Sequence, residues 1–129
     1  MSNTRTTITR RRRRYDSYTV KWDVRNGYLA WNHSGKKIPN GHYIYAINEE
    51  ANILAMTLQT NTVEHDFFFG QASILAAGCI DIQQGVITCV NNSGGNFRPT
   101  PESTVAAIRF LVTTLFQYQF DIQLYRHTD

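Results

Sequence analysis

Three observations predict an α+β fold, a strongly bent antiparallel sheet built of hairpins with one main helix packed on it. Apolar residues alternate at period two through most of the chain, and turns rich in Gly and Asn separate the alternating runs. One late stretch switches to helical periodicity behind a proline. The chain has 129 residues, 42% of them hydrophobic, which is enough for a single buried core. Charge divides it into two parts. Residues 1–14 hold Arg5 and the run Arg10, Arg11, Arg12, Arg13 and Arg14 with no acid, whereas residues 15–129 carry seven Lys/Arg against ten Asp/Glu. A basic, disordered arm is expected over 1–14 and a single, mildly acidic globular domain over 15–129, because like charges repel and the arm has nothing to bury.

Tyr18, Val20, Trp22 and Val24 alternate with polar residues and read as a half-buried strand. Asn26-Gly27 then signals a two-residue hairpin turn, which would set Val24 against Leu29 and Trp22 against Trp31. Residues 32–41 read as a loop. Tyr43–Ile47 and Asn52–Thr57 form a second hairpin around Glu49-Glu50-Ala51. A third joins Ile74–Ile82 to Val86–Asn91 through Gln83-Gln84-Gly85. Glutamine is poor at positive φ, so this loop is expected to be a type I turn closed by a Gly85 bulge. That choice pairs Ile82 with Val86 and sets Cys79 opposite Cys89, whereas a two-residue turn would put the thiols on opposite faces. The expected state of the two cysteines is a reduced pair packed in the sheet. Neither a CxxC nor a ligand cluster occurs, which argues against structural zinc, and no cofactor is implied.

Thr100 is a plausible N-cap, Pro101 suits the first helical position and Glu102 complements the helix dipole, so a helix is expected over about 101–117. Its apolar stripe would be Val105, Ile108, Leu111, Val112, Leu115 and Phe116. Phe120–Tyr125 alternates again and should return as a last strand.

The stretch His65–Glu102, HDFFFGQASILAAGCIDIQQGVITCVNNSGGNFRPTPE, resembles a pattern of the IQ-motif calmodulin-binding proteins of plants, the IQM type. That pattern runs His-Ser-Ser-Phe-Leu-Ala-Gly, Ala-Ala-Gly, a strand, a turn Gly, a strand, then Ser-Gly-His-Tyr-x-Pro-Thr in their C-terminal region. It is also similar to segments at the ends of bacterial polymorphic toxins and secreted effectors. The likeness spans roughly residues 17–125, because Val24-Arg-Asn-Gly-Tyr-Leu and His42-Tyr-Ile-Tyr-Ala-Ile resemble the preceding hairpin and strand. The IQ motif that binds calmodulin in the plant proteins lies outside this domain and has no counterpart here. His65, Phe68, Ala76-Ala77-Gly78, Ser93-Gly94, Pro99 and Thr100 match the pattern. The departures fall where chemistry would sit. Ser-Ser becomes Asp66-Phe67, and Ser-Gly-His-Tyr becomes Ser93-Gly94-Gly95-Asn96-Phe97, replacing an imidazole with an amide and losing a phenol hydroxyl.

The candidate site is therefore the meeting of two segments. His65 would act as a base oriented by Asp66 or Glu64. Ser93, Gly94, Gly95 and Asn96, before a helix N-terminus and beside Arg98, could form an anion-binding nest. Gly94-Gly95 lacks the spacing and lysine of a P-loop. The expected function is a small non-catalytic interaction module of effector or toxin-associated type, whose arginine arm engages a protein or another acidic polymer, RNA among the candidates. The alternative is a toxin-like enzyme domain acting on a nucleotide, RNA or protein through His65 and the 93–98 loop. No apolar segment is long enough for a secretory signal or a membrane span, so a cytoplasmic protein is expected, or one exported without a cleaved signal. The sequence leaves the oligomeric state open.

Overall fold

The computed structural model describes residues 15–60, 68–70, 73–94 and 98–124. It is α+β. A 3-10 turn, Asp16–Tyr18, leads into a two-stranded sheet of β1 (Val20–Asp23) and β2 (Tyr28–Trp31). The main sheet has the order β4-β3-β5-β6-β7 and comprises β3 (Gly41–Asn48), β4 (Leu54–Leu58), β5 (Ile74–Gln83), β6 (Val86–Asn91) and β7 (Asp121–Gln123). The helix α1 spans Pro101–Thr113. All pairs are antiparallel except β6 with β7, where the last strand returns parallel, as a chain does after a helical crossover.

The small sheet is fastened to the large one at two places. Thr19 bridges to Ala55 on β4, and the Leu29 N–H donates to Gly85 O at 2.7 Å in the β5–β6 turn. Ile38 joins it: its N–H donates to Leu29 O at 3.0 Å and its side chain is fully buried, so the 32–41 loop plugs the core. One core cluster lies between the main sheet, α1 and the small sheet, with Tyr43, Tyr45, Ile80, Ile87, Phe110 and Leu111 among its members. A second lies on the other face, where Ala55, Ala46 and Ala77 form a row across β4, β3 and β5 under Phe68 and Phe69. Alternate residues of the strands feed the two clusters, which is why β3 is buried along most of its length.

Local chemistry moved the first hairpin by two residues from its expected register. Asp23 pairs with Tyr28 and Trp22 with Leu29, so Trp31 opposes Val20 instead of Trp22. The Asp23 carboxylate accepts from Asn26 N at 3.1 Å and Asn26 Nδ2 at 2.9 Å, and Gly27 N donates to Asp23 O at 2.7 Å. These bonds favour a four-residue loop in which only Gly27 is left-handed, at φ 72°, and Val24 is 78% exposed. The Asn26 bonds also hold the Asp23 carboxyl below its ordinary pKa.

The third hairpin corrects the expectation of a Gly85 bulge. Gln84 and Gly85 both have positive φ, 55° and 76°, in a two-residue turn that pairs Gln83 with Val86. Contacts from outside the hairpin hold Gln84 there: its N–H donates to Asn40 Oδ1 at 2.8 Å, and Gly85 is pressed against Tyr28. A bulge between Asp81 and Ile82 then realigns the strands, so Cys89 opposes Asp81. The thiols share a face after all but are not opposite, and both are free.

At α1 the expected cap is present as a full capping box, with Ser103 N donating to Thr100 Oγ1 and Thr100 N to Ser103 Oγ, each at 3.0 Å. The helix stops four residues short of the expected 117, and the buried stripe is Ala107, Phe110 and Leu111, with Leu115 just beyond. Val105 is 54% exposed and Phe116 43%. Phe116 takes a left-handed φ of 57°, which costs a bulky residue about 1–2 kcal/mol. This turn lets Gln117 fold under the helix, where its N–H donates to Leu111 O at 2.9 Å.

Where β6 ends, the chain presses on β5. A Cβ at Gly78 would lie 2.2 Å from Asn91 O, and one at Gly94 would lie 2.6 Å from Ala77 Cβ. By contrast, nothing lies within 4 Å of a Cβ at Gly27. Gly78→Ala and Gly94→Ala should each destabilise by about 3 kcal/mol or more, because backbone must move. Gly27→Ala should cost only the left-handed penalty of about 1–2 kcal/mol. Urea unfolding of the three variants checks the order.

Candidate binding cleft and the sheet face behind it

The crossing of β6 over β5 is fixed by Asn91. Its carbonyl accepts from the Tyr45 hydroxyl at 2.7 Å, and its side-chain oxygen accepts from Cys79 N and Ser93 N, both at 3.0 Å. Tyr45 is buried, and that burial raises its hydroxyl pKa above the ordinary range, so the group stays a neutral donor. Beyond Asn91 the chain runs through Asn92 to Gly94 and re-enters the described residues at Arg98. Between this crossing, α1 and β7 lies a narrow apolar cleft open to solvent.

The sheet supplies the floor through Tyr45, Ala76 and Val90, and the helix supplies one wall through Thr104, Ala107, Ile108 and Leu111. Ile122 and Leu124, 43% and 58% exposed, form the other rim, and Asn92 and Pro99 close the end toward the 93–98 loop. Among the described residues, no acid, imidazole, thiol or amine is in the lining. Such a surface can desolvate an aliphatic or aromatic group but offers it no proton transfer.

At the far side of the helix, Gln117 occupies a place where β6 has no partner strand. Its Oε1 accepts from Ile87 N at 2.7 Å and its Nε2 donates to Leu115 O at 2.8 Å, both buried. One side-chain amide thus satisfies the edge of the sheet and the end of the helix together. A glutamine in Gln117-Tyr118-Gln119 has no sequence signal for this role.

The residues anticipated from sequence divide sharply. His65, Asp66, Glu64, Gly95, Asn96 and the arm Arg10–Arg14 lie outside the described residues. Ser93, Gly94 and Arg98 lie within them. Phe68 belongs to the cluster of the alanine row, and Gly94 abuts Ala77 of that row.

The face of the sheet opposite the helix holds titratable groups that sequence reasoning left scattered. His42 on β3 pairs with Asp81 on β5 through Nδ1 and Oδ1, directly across the ladder. Cys79, Asp81 and Cys89 share this face, and Asp121 on β7 lies beside Cys89. Burial first, then the Asp81 charge, raises the pKa of both thiols. Their nucleophilic thiolate forms are suppressed. Among the described residues no group of three or more His, Cys, Asp or Glu side chains could hold a metal ion, and no helix is long and apolar enough to cross a membrane.

Fold and cleft together define a small α+β domain with an apolar cleft between its sheet, its helix and its last strand. The chain belongs to the family of the IQ motif-containing protein middle domain, whose model matches residues 13–104. The resemblance read from the sequence is thereby supported, with the correction that the matching region is that family's middle domain. No curated protein matches the chain, and no solved structure does. The likeness to bacterial toxins and effectors thus has no counterpart among the comparisons.

Replacing Asp81 with Asn removes the charge that both thiols feel. Alkylation of Cys79 and Cys89 by iodoacetamide at mildly alkaline pH should then become roughly threefold faster. Unchanged rates, followed by mass spectrometry of each cysteine, would show that Asp81 does not control them.

Proposed function

We propose that this domain is a small protein-interaction module. Its cleft takes an apolar side chain from an extended segment of a protein partner that lies along β7. The observation that carries this reading is the cleft lining, apolar and, among the described residues, without an acid, imidazole, thiol or amine, beside the outer edge of the main sheet. β7 is short, exposed along its length and terminal in the strand order. A segment added there would gain main-chain hydrogen bonds from the strand and specificity from the cleft, the usual division of labour in strand addition. Membership of the IQ motif-containing family supports a protein partner.

The arm completes the proposal. Arg10–Arg14 give the partner an electrostatic reason to be acidic beyond the segment that enters the cleft. Ser93, Gly94 and Arg98 are the residues we propose to meet polar groups of the same partner.

Peptides selected from a random display library on the full chain test it. They should combine alternating apolar residues with an acidic flank. Ala107→Phe, which fills the cleft, should weaken them by about tenfold or more. Replacing Arg10–Arg14 by Ser should flatten the salt dependence of binding while leaving cleft recognition in place. Selected peptides that bind the Ala107→Phe variant as tightly as the parent would end the cleft reading.

A further inference from the structure

The small sheet carries most of the positive charge of the described residues. Lys21, Arg25, Lys36 and Lys37 lie on it or in its loops. The described residues after Ile38 hold Arg98 and Arg109 against five acids, Glu49, Glu50, Asp81, Glu102 and Asp121. All four cations of the small sheet are exposed, and among the described residues none of them makes an ion pair. Lys21 and Lys37 stand on either side of Ala30 in one row. Their neighbours Trp22, Leu29 and Ile38 face the core, so this row is on the outer face.

Both ammonium groups gather at the hairpin tip. Lys37 Nζ lies over the Tyr28 ring, 5.4 Å from its centre. The Lys21 charge adds to the Asn26 hydrogen bonds that lower the Asp23 pKa. Asp23 and Tyr28 are the pair that closes the tip, and the Asp23 carboxylate is taken up by its two bonds from Asn26. Beyond that pair stands Val24, at 78% the most exposed large hydrophobic side chain among the described residues, with Arg25 next to it. The bonds that set the four-residue loop thus also keep an apolar side chain in water. An apolar group fixed at a tip and surrounded by unpaired cations suits a surface where acyl chains lie beneath a layer of phosphates.

We propose that this tip docks on an anionic lipid bilayer, with Val24 at the boundary of headgroups and acyl chains and Lys21, Arg25, Lys36 and Lys37 on the lipid phosphates. Tyr28, half-buried beside the tip, is of a residue type favoured at that depth. Attachment of this kind is peripheral and needs no spanning helix. A nucleic acid would neutralise the same cations but would leave Val24 in water. The Tyr28 ring, moreover, already has Lys37 on one face where a base would stack. Both observations favour the bilayer. None of these residues lines the cleft, and the inference does not rest on what enters there.

The test is sedimentation of the full chain with vesicles of phosphatidylcholine and phosphatidylserine in equal parts. Arg10–Arg14 would strengthen any anionic contact, so every variant keeps the arm. The chain should sediment with these vesicles and stay behind with phosphatidylcholine alone, and added salt should release it. Val24→Trp should tighten binding by about threefold or more, because indole favours the interface. Lys21→Gln should weaken it by about fivefold, whereas Arg109→Gln, which removes the same charge from the helix, should change it by less than about twofold. All three side chains are exposed, so the core is undisturbed. Failure to sediment with the mixed vesicles would overturn the proposal, as would equal losses in Lys21→Gln and Arg109→Gln or no gain in Val24→Trp. So would a uridine oligomer whose binding Lys21→Gln weakens while the vesicles are ignored.

Discussion

Much of this structure depends on the backbone crossing at which the end of β6 lies on β5. Gly78 makes the crossing sterically feasible, since any Cβ there would collide with Asn91 O. Asn91 makes it electrostatically feasible, because its carbonyl and its side-chain oxygen are both satisfied, by Tyr45, Cys79 and Ser93. A buried carbonyl without the Tyr45 hydroxyl would cost about 1–3 kcal/mol, a large part of a small domain's stability. From this point the chain is aimed past Gly94 toward Pro99, and the capping box at Thr100 starts the helix over the sheet.

The crossing also explains the small residues of two short stretches of the sequence. Ala76-Ala77-Gly78 and Ser93-Gly94 are the two sides of one contact, with Ala77 under Gly94 and Gly78 under Asn91. Neither strand could carry larger residues without separating the layers.

Elements whose cause is local were legible in the sequence. The alternating strands, the second hairpin, the Thr100-Pro101 helix start and the α+β class all follow from side chains acting on their own neighbourhood. Registers were less legible where a side chain or a distant contact decided the turn. Asp23 pulled the first hairpin into a four-residue loop, and Asn40 with Tyr28 held Gln84 in a conformation that glutamine avoids alone. The helix end was missed for the same reason: Phe116 and Gln117 obey the needs of β6, thirty residues away. Of the candidate site, the Ser93-Gly94 segment was visible through its glycine. The cleft was not, because its walls come from β3, β5, β6, α1 and β7 and share no spacing in the chain.

The division of the cleft between shared and particular residues bears on specificity. The family match ends at residue 104, after the first turn of α1. Tyr45, Ala76, Val90, Asn92 and Pro99 fall inside it, so the floor and the loop end of the cleft belong to the common architecture. Ala107, Ile108, Leu111, Ile122 and Leu124 fall beyond it. These are the residues that set how wide the cleft is and what its rim touches. The match therefore covers the Gly78–Asn91 crossing and the floor of the cleft, while the helix wall and the rim are supplied by the segment after residue 104, which can vary without disturbing the crossing on which the fold rests.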